Sequence, residues 1–513
     1  MKYLLPAIFI LYVFFLSVFS NAEFPSMKQE TSFLPYLADR PLTEDGFYSL
    51  KIAWNIGTGK GVTHNFNKQT TGFQPLYVFI LSILANITSN FGGDKITFLR
   101  LVIILSGFIA LLLTFLFYRF IFIIEKQLDR KFLFLITGLL ILFNFKLFLN
   151  LFNGLETGLY LIFLLLSVNQ TQLLIEGNKN LKRILLYGFI LGLTVLTRND
   201  FVLIALVIII LLIHSKTIRI KDSFIILLIL FLTVLPWIVF IYSVQGSVIP
   251  TSASVQTGLT ANDLYYRIDQ FFFSLFSNYI PFIHSGQTQS KVIYVLAVTF
   301  ILYLIRYQRQ FIKSFVELQV IKFWFVAFMI ISIVYLFFAS QPFFFFRYLS
   351  IHLVIAIPFL AILIAKELLN RSIIFKNIFF LTVILIFCFN VGYYFHYPKK
   401  ASDLALRPAI INQNKFYKEK IGMAQSGISG YFFVNIINLD GKVNVAALSA
   451  IKKNELYEYI LNENISILIE WEEWLDLLPA QKLNKDWNLS KSQIKDNKTL
   501  VLIRKKSTDL LSP

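Results

Sequence analysis

Long apolar runs separated by short polar gaps dominate the first 395 positions. Leu101–Phe117, Phe132–Phe145, Phe201–Ile213, Phe224–Tyr242 and Phe375–Phe395 are nearly unbroken hydrophobic stretches. Each reaches or approaches the length that a helix needs to cross a hydrocarbon core of about 30 Å. Only helices can cross singly, because lipid offers no partners to open backbone groups. The pattern predicts a polytopic α-helical membrane protein with about eleven transmembrane helices. From about His396 the character turns polar and mixed. Short apolar strands there alternate with helical stretches, which predicts a small C-terminal α/β domain.

Composition agrees with this division. Hydrophobic residues make up 57% of the chain and charged residues 15%, against roughly 25% charged in soluble proteins. A several-domain soluble protein is excluded on that ground. The 56 Phe residues suit lipid-facing surfaces. The one cysteine, Cys388, falls inside a predicted span, so no disulfide framework is expected.

The net charge of +18 would suit nucleic acid if the cations formed one patch. They cluster instead in alternate gaps, at Arg119, Lys126, Arg130 and Lys131, at Lys179, Lys182 and Arg183, at Lys216, Arg219 and Lys221, at Arg306, Arg309 and Lys313, and at Lys366, Arg371 and Lys376. Basic residues of this kind mark cytoplasmic loops. The turns around Asn153-Gly154, residues 198–200, residues 244–290 and Gln341–Tyr348 are poor in them and fall outside. No nucleic-acid partner is expected.

Lys2 followed by an apolar run places the N-terminus in the cytoplasm. Ser20-Asn21-Ala22 resembles a signal-peptidase site, and whether it is cleaved or retained, the chain beyond it is external. The alternation holds only if Pro75–Asn90 lies in the membrane interface without crossing. Residues 1–21 are then the first transmembrane helix and 22–96 a large external loop with juxtamembrane helices. Residues 97–395 form the helix bundle and 396–513 an extracytoplasmic α/β domain. Within the loop, Phe47–Ile56 is amphipathic and suits the interface. In the tail, Ser426–Gly430 reads as a glycine turn able to hold a phosphate or merely to link two elements. Glu455–Asn462 and Trp471–Leu478 read as helices, and Ile465–Ile469 and Thr499–Ile503 as strands.

Glu44-Asp45-Gly46-Phe47-Tyr48 carries the most chemistry. Two adjacent carboxylates stand just before the amphipathic helix. Thr43, Glu44 and Asp45 all favour a helix N-terminus, so capping accounts for them. General-base catalysis accounts for them equally, because a carboxylate near the membrane can deprotonate an attacking hydroxyl.

The run from Glu44 to Leu50, with Asn55, Gly59, Gly61 and Thr71-Gly72-Phe73-Gln74-Pro75-Leu76-Tyr77, resembles the first external loop of GT-C glycosyltransferases. The likeness is to bacterial members of the arabinofuranosyltransferase and protein mannosyltransferase types. Asn153-Gly154-Leu155-Glu156-Thr157 and Leu196-Thr197-Arg198-Asn199-Asp200 resemble two further turns of that superfamily. Ser426–Tyr431 and Leu439–Asn444 resemble pieces of its outer tail. The chain departs from the pattern in having Glu44 where Asp is usual, Asn199 in place of proline, and Gln74 where some relatives carry lysine.

The resemblance implies a sugar donor linked to polyprenyl phosphate, and a glycan, glycolipid or protein acceptor in the cell envelope. It also implies a bacterial inner-membrane location with the active site outside. Asp45, Glu44 and Glu156 become the candidate catalytic carboxylates, with the base left open between Glu44 and Asp45. Arg100, Arg198 and Arg347 become candidates for the donor phosphate, since Arg matches phosphate through its planar fork and charges near lipid mark pathways. Snorkelling to the interface explains each arginine as well, and Glu156 also reads as a plain turn residue. His64 and His284 read as ordinary loop residues. No metal-ligand spacing is present, and a divalent cation held by Glu44, Asp45 and Glu156 stays open. Two other classes compete. A flippase of lipid-linked sugars needs polar groups lining the spans, which are almost purely apolar. A non-catalytic envelope scaffold would keep the same motifs.

Overall fold

The computed structural model describes residues 4–21, 24, 36–65, 68–256, 264–280, 290–396, 402–490 and 499–505. His284 and Ala22 of the candidate cleavage site lie outside these. The chain divides into two compact units.

The first unit comprises Met1–Phe15, Ile103–Ile238 and Thr257–Tyr394 and is helical. Among the described residues of the whole chain, six helices are long and apolar enough to cross a membrane. They are Lys95–Ile124, Thr157–Ile175, Ile220–Gln245, Gln319–Phe338, Pro342–Leu369 and Ile373–Phe395. The expected span Phe132–Phe145 is not straight. Helix Arg130–Leu142 stops, Asn144 accepts a cap bond from the Leu147 N–H at 3.0 Å, and Phe145–Leu151 continues at 61°. Counted as one span, this pair makes seven. An eleven-span count needs shorter helices such as Leu5–Phe19, Phe201–His214 and Ile293–Tyr307. Phe224 and Phe389 stay exposed on their helices, as lipid-facing side chains would. Gly188 and Gly192 let helix Leu181–Thr197 approach helix Ile220–Gln245 closely, since a β-carbon at either would strike Ile226 or Thr233.

The second unit comprises Leu16–Val102, Val239–Gln256 and Phe395–Pro513, so the first-loop segment and the tail fold together. Strands β1 (Ile421–Met423), β2 (Ile436–Asn438), β3 (Ile467–Trp471), β4 (Trp487–Leu489) and β5 (Thr499–Arg504) form one sheet in the order β2-β1-β3-β5-β4. The β1 strand pairs parallel with β2 and β3, whereas β5 pairs antiparallel with β3 and β4. Ile410, Ile411, Ile421, Met423 and Ile469 make one core cluster, and Leu439, Tyr457, Ile460, Leu468 and Trp487 another. This is the expected small α/β fold, with local corrections. Trp471 ends β3, and the helix after it covers only Glu472–Leu475. The glycine segment is itself a short helix, Gly427–Phe432.

Two helices of the first-loop segment pack on each other. Helix Glu44–Gly57 is buried continuously from Gly46 to Trp54, so the face expected in the membrane interface is enclosed in protein. Helix Pro75–Asn90 buries Tyr77, Val78, Leu81 and Ala85. Its other face exposes Phe79, Ile83 and Ile87, followed by Phe91 at 88% exposure, an apolar stripe at four-residue spacing.

Candidate functional site

In the second unit, helix Glu44–Gly57 places a polar ladder against the tail. Thr43 precedes it without a side-chain cap bond, and Glu44 and Asp45 fill its first turn. Glu44 lies across the start of the tail helix. Its Oε1 accepts from the Gly427 N–H and its Oε2 from the Ile428 N–H, the latter at 2.9 Å. Gly427 must be glycine for this approach, because a β-carbon would run into the Glu44 carbonyl oxygen. One turn further along, the Tyr48 hydroxyl donates to the Ala424 carbonyl at 3.2 Å and accepts from the Ser426 N–H at 3.1 Å. The Ser426, Gly427 and Ile428 amides, for which holding a phosphate or merely linking two elements were both open, are taken by the protein's own groups. Behind them, Arg407 forks onto Glu470 at 2.8 and 3.1 Å, and Glu470 accepts from the Ala424 and Gln425 amides.

Asp45 points to a different partner. Its Oδ1 lies 3.5 Å from Lys442 Nζ, and Lys442 Nζ lies 3.5 Å from Asp440 Oδ2. Burial pushes the Glu44 carboxyl up to about 7, against the pull of the Ile428 and Gly427 amides and of Arg407. Burial also raises Asp440, with Lys442 opposing it. Burial disfavours the Lys442 ammonium, but Asp45 and Asp440 outweigh it and hold its pKa above the usual lysine value.

His64 is no ordinary loop residue. It is buried, its ring packs 5.2 Å from that of Tyr48, and its Nδ1 meets Asn65 Oδ1 at 3.3 Å. Lys51 is buried too, and desolvation followed by repulsion from Lys95 lowers its ammonium to about 7. Arg100, in the same unit, reaches the Ser20 carbonyl at 3.5 Å.

The first unit holds Glu156, Arg198 and Arg347. An Asx turn in which Asn153 Oδ1 accepts from the Leu155 N–H, with Gly154 in the left-handed region at φ 82°, brings buried Glu156 to the start of helix Thr157–Ile175. Arg198, 4% exposed, forks onto Asp200 at 3.2 and 2.5 Å, and Tyr335 donates to the same carboxylate at 2.6 Å. Its guanidinium lies 5.3 Å from the Tyr160 ring and 4.8 Å from the Tyr348 ring. Its Nη1 is buried without a hydrogen-bond partner. Arg347 stands 5.4 Å from the Tyr348 ring and within electrostatic reach of Asp200. Lys146 on the bent pair donates to the Ser274 carbonyl and the Ser277 hydroxyl at 2.9 and 2.7 Å, which makes it a strap between helices.

The residues missed by sequence reasoning are Asp440, Lys442, Tyr48, Asp200 and the tyrosines around Arg198. Tyr48, Asp200, Asp440 and Lys442 stand inside segments that resemble the superfamily, so a signal existed for those four. Among the described residues no three His, Cys, Asp or Glu side chains gather as a metal site.

No protein-family model matches the sequence, and no curated protein matches it. Its structure is similar to solved ones. ArnT from Cupriavidus metallidurans, bound to undecaprenyl phosphate, superposes with a TM-score of 0.55 at 9% identity, covering 99% of each chain. The Archaeoglobus fulgidus oligosaccharyltransferase, in complex with Zn and sulfate, superposes with a TM-score of 0.52 at 12% identity, covering 98% of this chain and 73% of that one. The protein has the GT-C fold.

Proposed function

We propose that this protein is a membrane glycosyltransferase that moves a sugar from a polyprenyl-phosphate donor to a cell-envelope acceptor, at the outer face of a bacterial inner membrane. The observation that carries this reading is the division of labour between two adjacent carboxylates. Glu44 has both oxygens on backbone amides, whereas Asp45 faces a side-chain ammonium. Asp45 is therefore the base and Glu44 the clamp that joins helix to tail. The likeness over its full length to a protein holding undecaprenyl phosphate supports a polyprenyl carrier.

In the reaction, the acceptor hydroxyl oxygen bonds to the anomeric carbon and its proton passes to the Asp45 carboxylate. The bond from that carbon to the phosphate oxygen breaks, and its electron pair leaves with the lipid phosphate. A positioned base contributes typically 10²- to 10⁴-fold. Arg198 and Arg347 take the phosphate role. Arg198 is held by Asp200 with one donor unpaired, and preorganised donors of this kind stabilise departing negative charge. Arg100 is the third phosphate candidate, and Glu156 orients the acceptor. The proposed topology keeps eleven spans, an inside N-terminus and an outside tail, with the exposed stripe of helix Pro75–Asn90 lying in the outer interface.

The test is donor consumption by the purified protein in lipid vesicles, offered a panel of polyprenyl-phosphate hexoses and pentoses with envelope extract as acceptor. Sugar transfer that disappears in Asp45→Asn supports the reading. Translocation of the donor across the bilayer without transfer would overturn it in favour of a flippase.

A further inference from the structure

The Asp440-Gly441-Lys442 turn takes no part in that reaction, yet it is where the tail meets Asp45. Its backbone is fixed from several sides. The Lys442 N–H donates to Asp440 Oδ1 at 2.9 Å, and the Lys442 carbonyl accepts from the Thr251 hydroxyl at 2.7 Å. Gly441, at φ 79°, donates its N–H to Asn438 Oδ1 at 3.1 Å. Gly72 packs against the Lys442 carbonyl so closely that a β-carbon there would overlap it. The lysine is thus anchored at its main chain, and its side chain is only 15% exposed.

Three carboxylates face this patch. Glu44 comes from the same helix turn as Asp45, and Asp440 comes from the tail. Lys442 feels all three as charge partners. Tyr48 is a further titratable group, its ring 5.8 Å from Lys442 Nζ, and Arg407 acts on Glu44 from the tail. Lys442 Nζ lies 3.5 Å from each of two acids and also acts on Asp45 as a hydrogen-bond partner, so one ammonium is shared between them. Carboxylates crowded without a cation cannot all stay ionised, and one of them takes up a proton.

We propose that Lys442 is a positioning residue of the active centre, holding Asp45 ionised and aimed against the repulsion of Glu44 and Asp440. This rests on Asp45 being the base. The tail then completes the centre.

The test is infrared titration of the full-length protein in bilayers, where the wild type minus Asp45→Asn difference isolates the Asp45 carboxyl band. An opposite charge this close lowers a carboxylate by about 1–3 pH units. Lys442→Met should therefore raise the Asp45 midpoint by about one unit or more, Lys442→Arg should restore it, and Asp440→Asn should lower it. A Lys442→Met midpoint equal to wild type in folded protein overturns the proposal. Should Lys442→Met fail to fold, an Asp440→Asn midpoint that does not fall overturns it instead. The measurement needs no sugar, so it separates the two claims. Shifted midpoints together with undiminished transfer by Asp45→Asn would leave the ion pair standing and remove Asp45 as the base.

Discussion

Replacing Glu44 with Gln removes the titrating group that joins the first-loop helix to the tail while keeping one acceptor oxygen and the shape. The Glu44 carboxyl stands at about 7 against an ordinary 4.5, chiefly through burial. An acid with a raised folded pKa binds its proton more tightly when folded. Its contribution to stability is therefore full below about pH 4.5 and is lost as pH rises through about 7. A shift of roughly 2.5 units at about 1.4 kcal/mol each makes the loss at most roughly 3–4 kcal/mol. Glutamine has no proton to lose, so Glu44→Gln should show no such decline. The two proteins should match near pH 5, and the variant should be the more stable at pH 8. Hydrogen exchange at the peptide covering 427–432, read in detergent at both pH values, measures this locally. Wild-type protection that is flat from pH 5 to 8, or a variant that declines in parallel, would refute the reasoning. If Glu44 is only the clamp, Glu44→Gln also keeps sugar transfer.

Asp45→Asn should cut transfer by roughly 10²- to 10⁴-fold with unchanged exchange at 427–432. Arg407→Met strands buried Glu470 and should cost about 3–5 kcal/mol, seen as tail-selective proteolysis, with partial recovery in Arg407→Met/Glu470→Gln. Gly427→Ala should push the tail helix off Glu44 at about 1–3 kcal/mol, read as a lower melting temperature. Arg198→Lys loses the two-pronged bond to Asp200 and should weaken polyprenyl-phosphate binding by roughly tenfold or more, measured by native mass spectrometry.

The helical bundle was legible because lipid permits so few solutions to an apolar run. The bent pair found among the described residues was not, because the break depends on a cap bond at Asn144, which looks like any polar residue in a run. The α/β character of the tail followed from alternating short elements. The tail helix at Gly427–Phe432 read as a turn because its two glycines disfavour helix. It is held by Glu44 and Tyr48, which lie almost 400 positions away. The same distance hid the union of first loop and tail in one unit. Arg198 was findable because an arginine among apolar spans is conspicuous. Lys442, although inside Leu439–Asn444, gave no sign of its partner, since Asp45 lies far away along the chain. His64, among glycine, threonine and asparagine, gave no local sign of its burial.

The central claim is that sugar moves from a polyprenyl-phosphate donor with Asp45 as base. Profiling lipid-linked and envelope glycans of a deletion strain tests it most directly, with plasmid copies of wild type and Asp45→Asn expressed at equal membrane levels. The account predicts one missing envelope sugar in the deletion strain, restored by wild type and not by Asp45→Asn. An unchanged profile on deletion, or full restoration by Asp45→Asn, would contradict it.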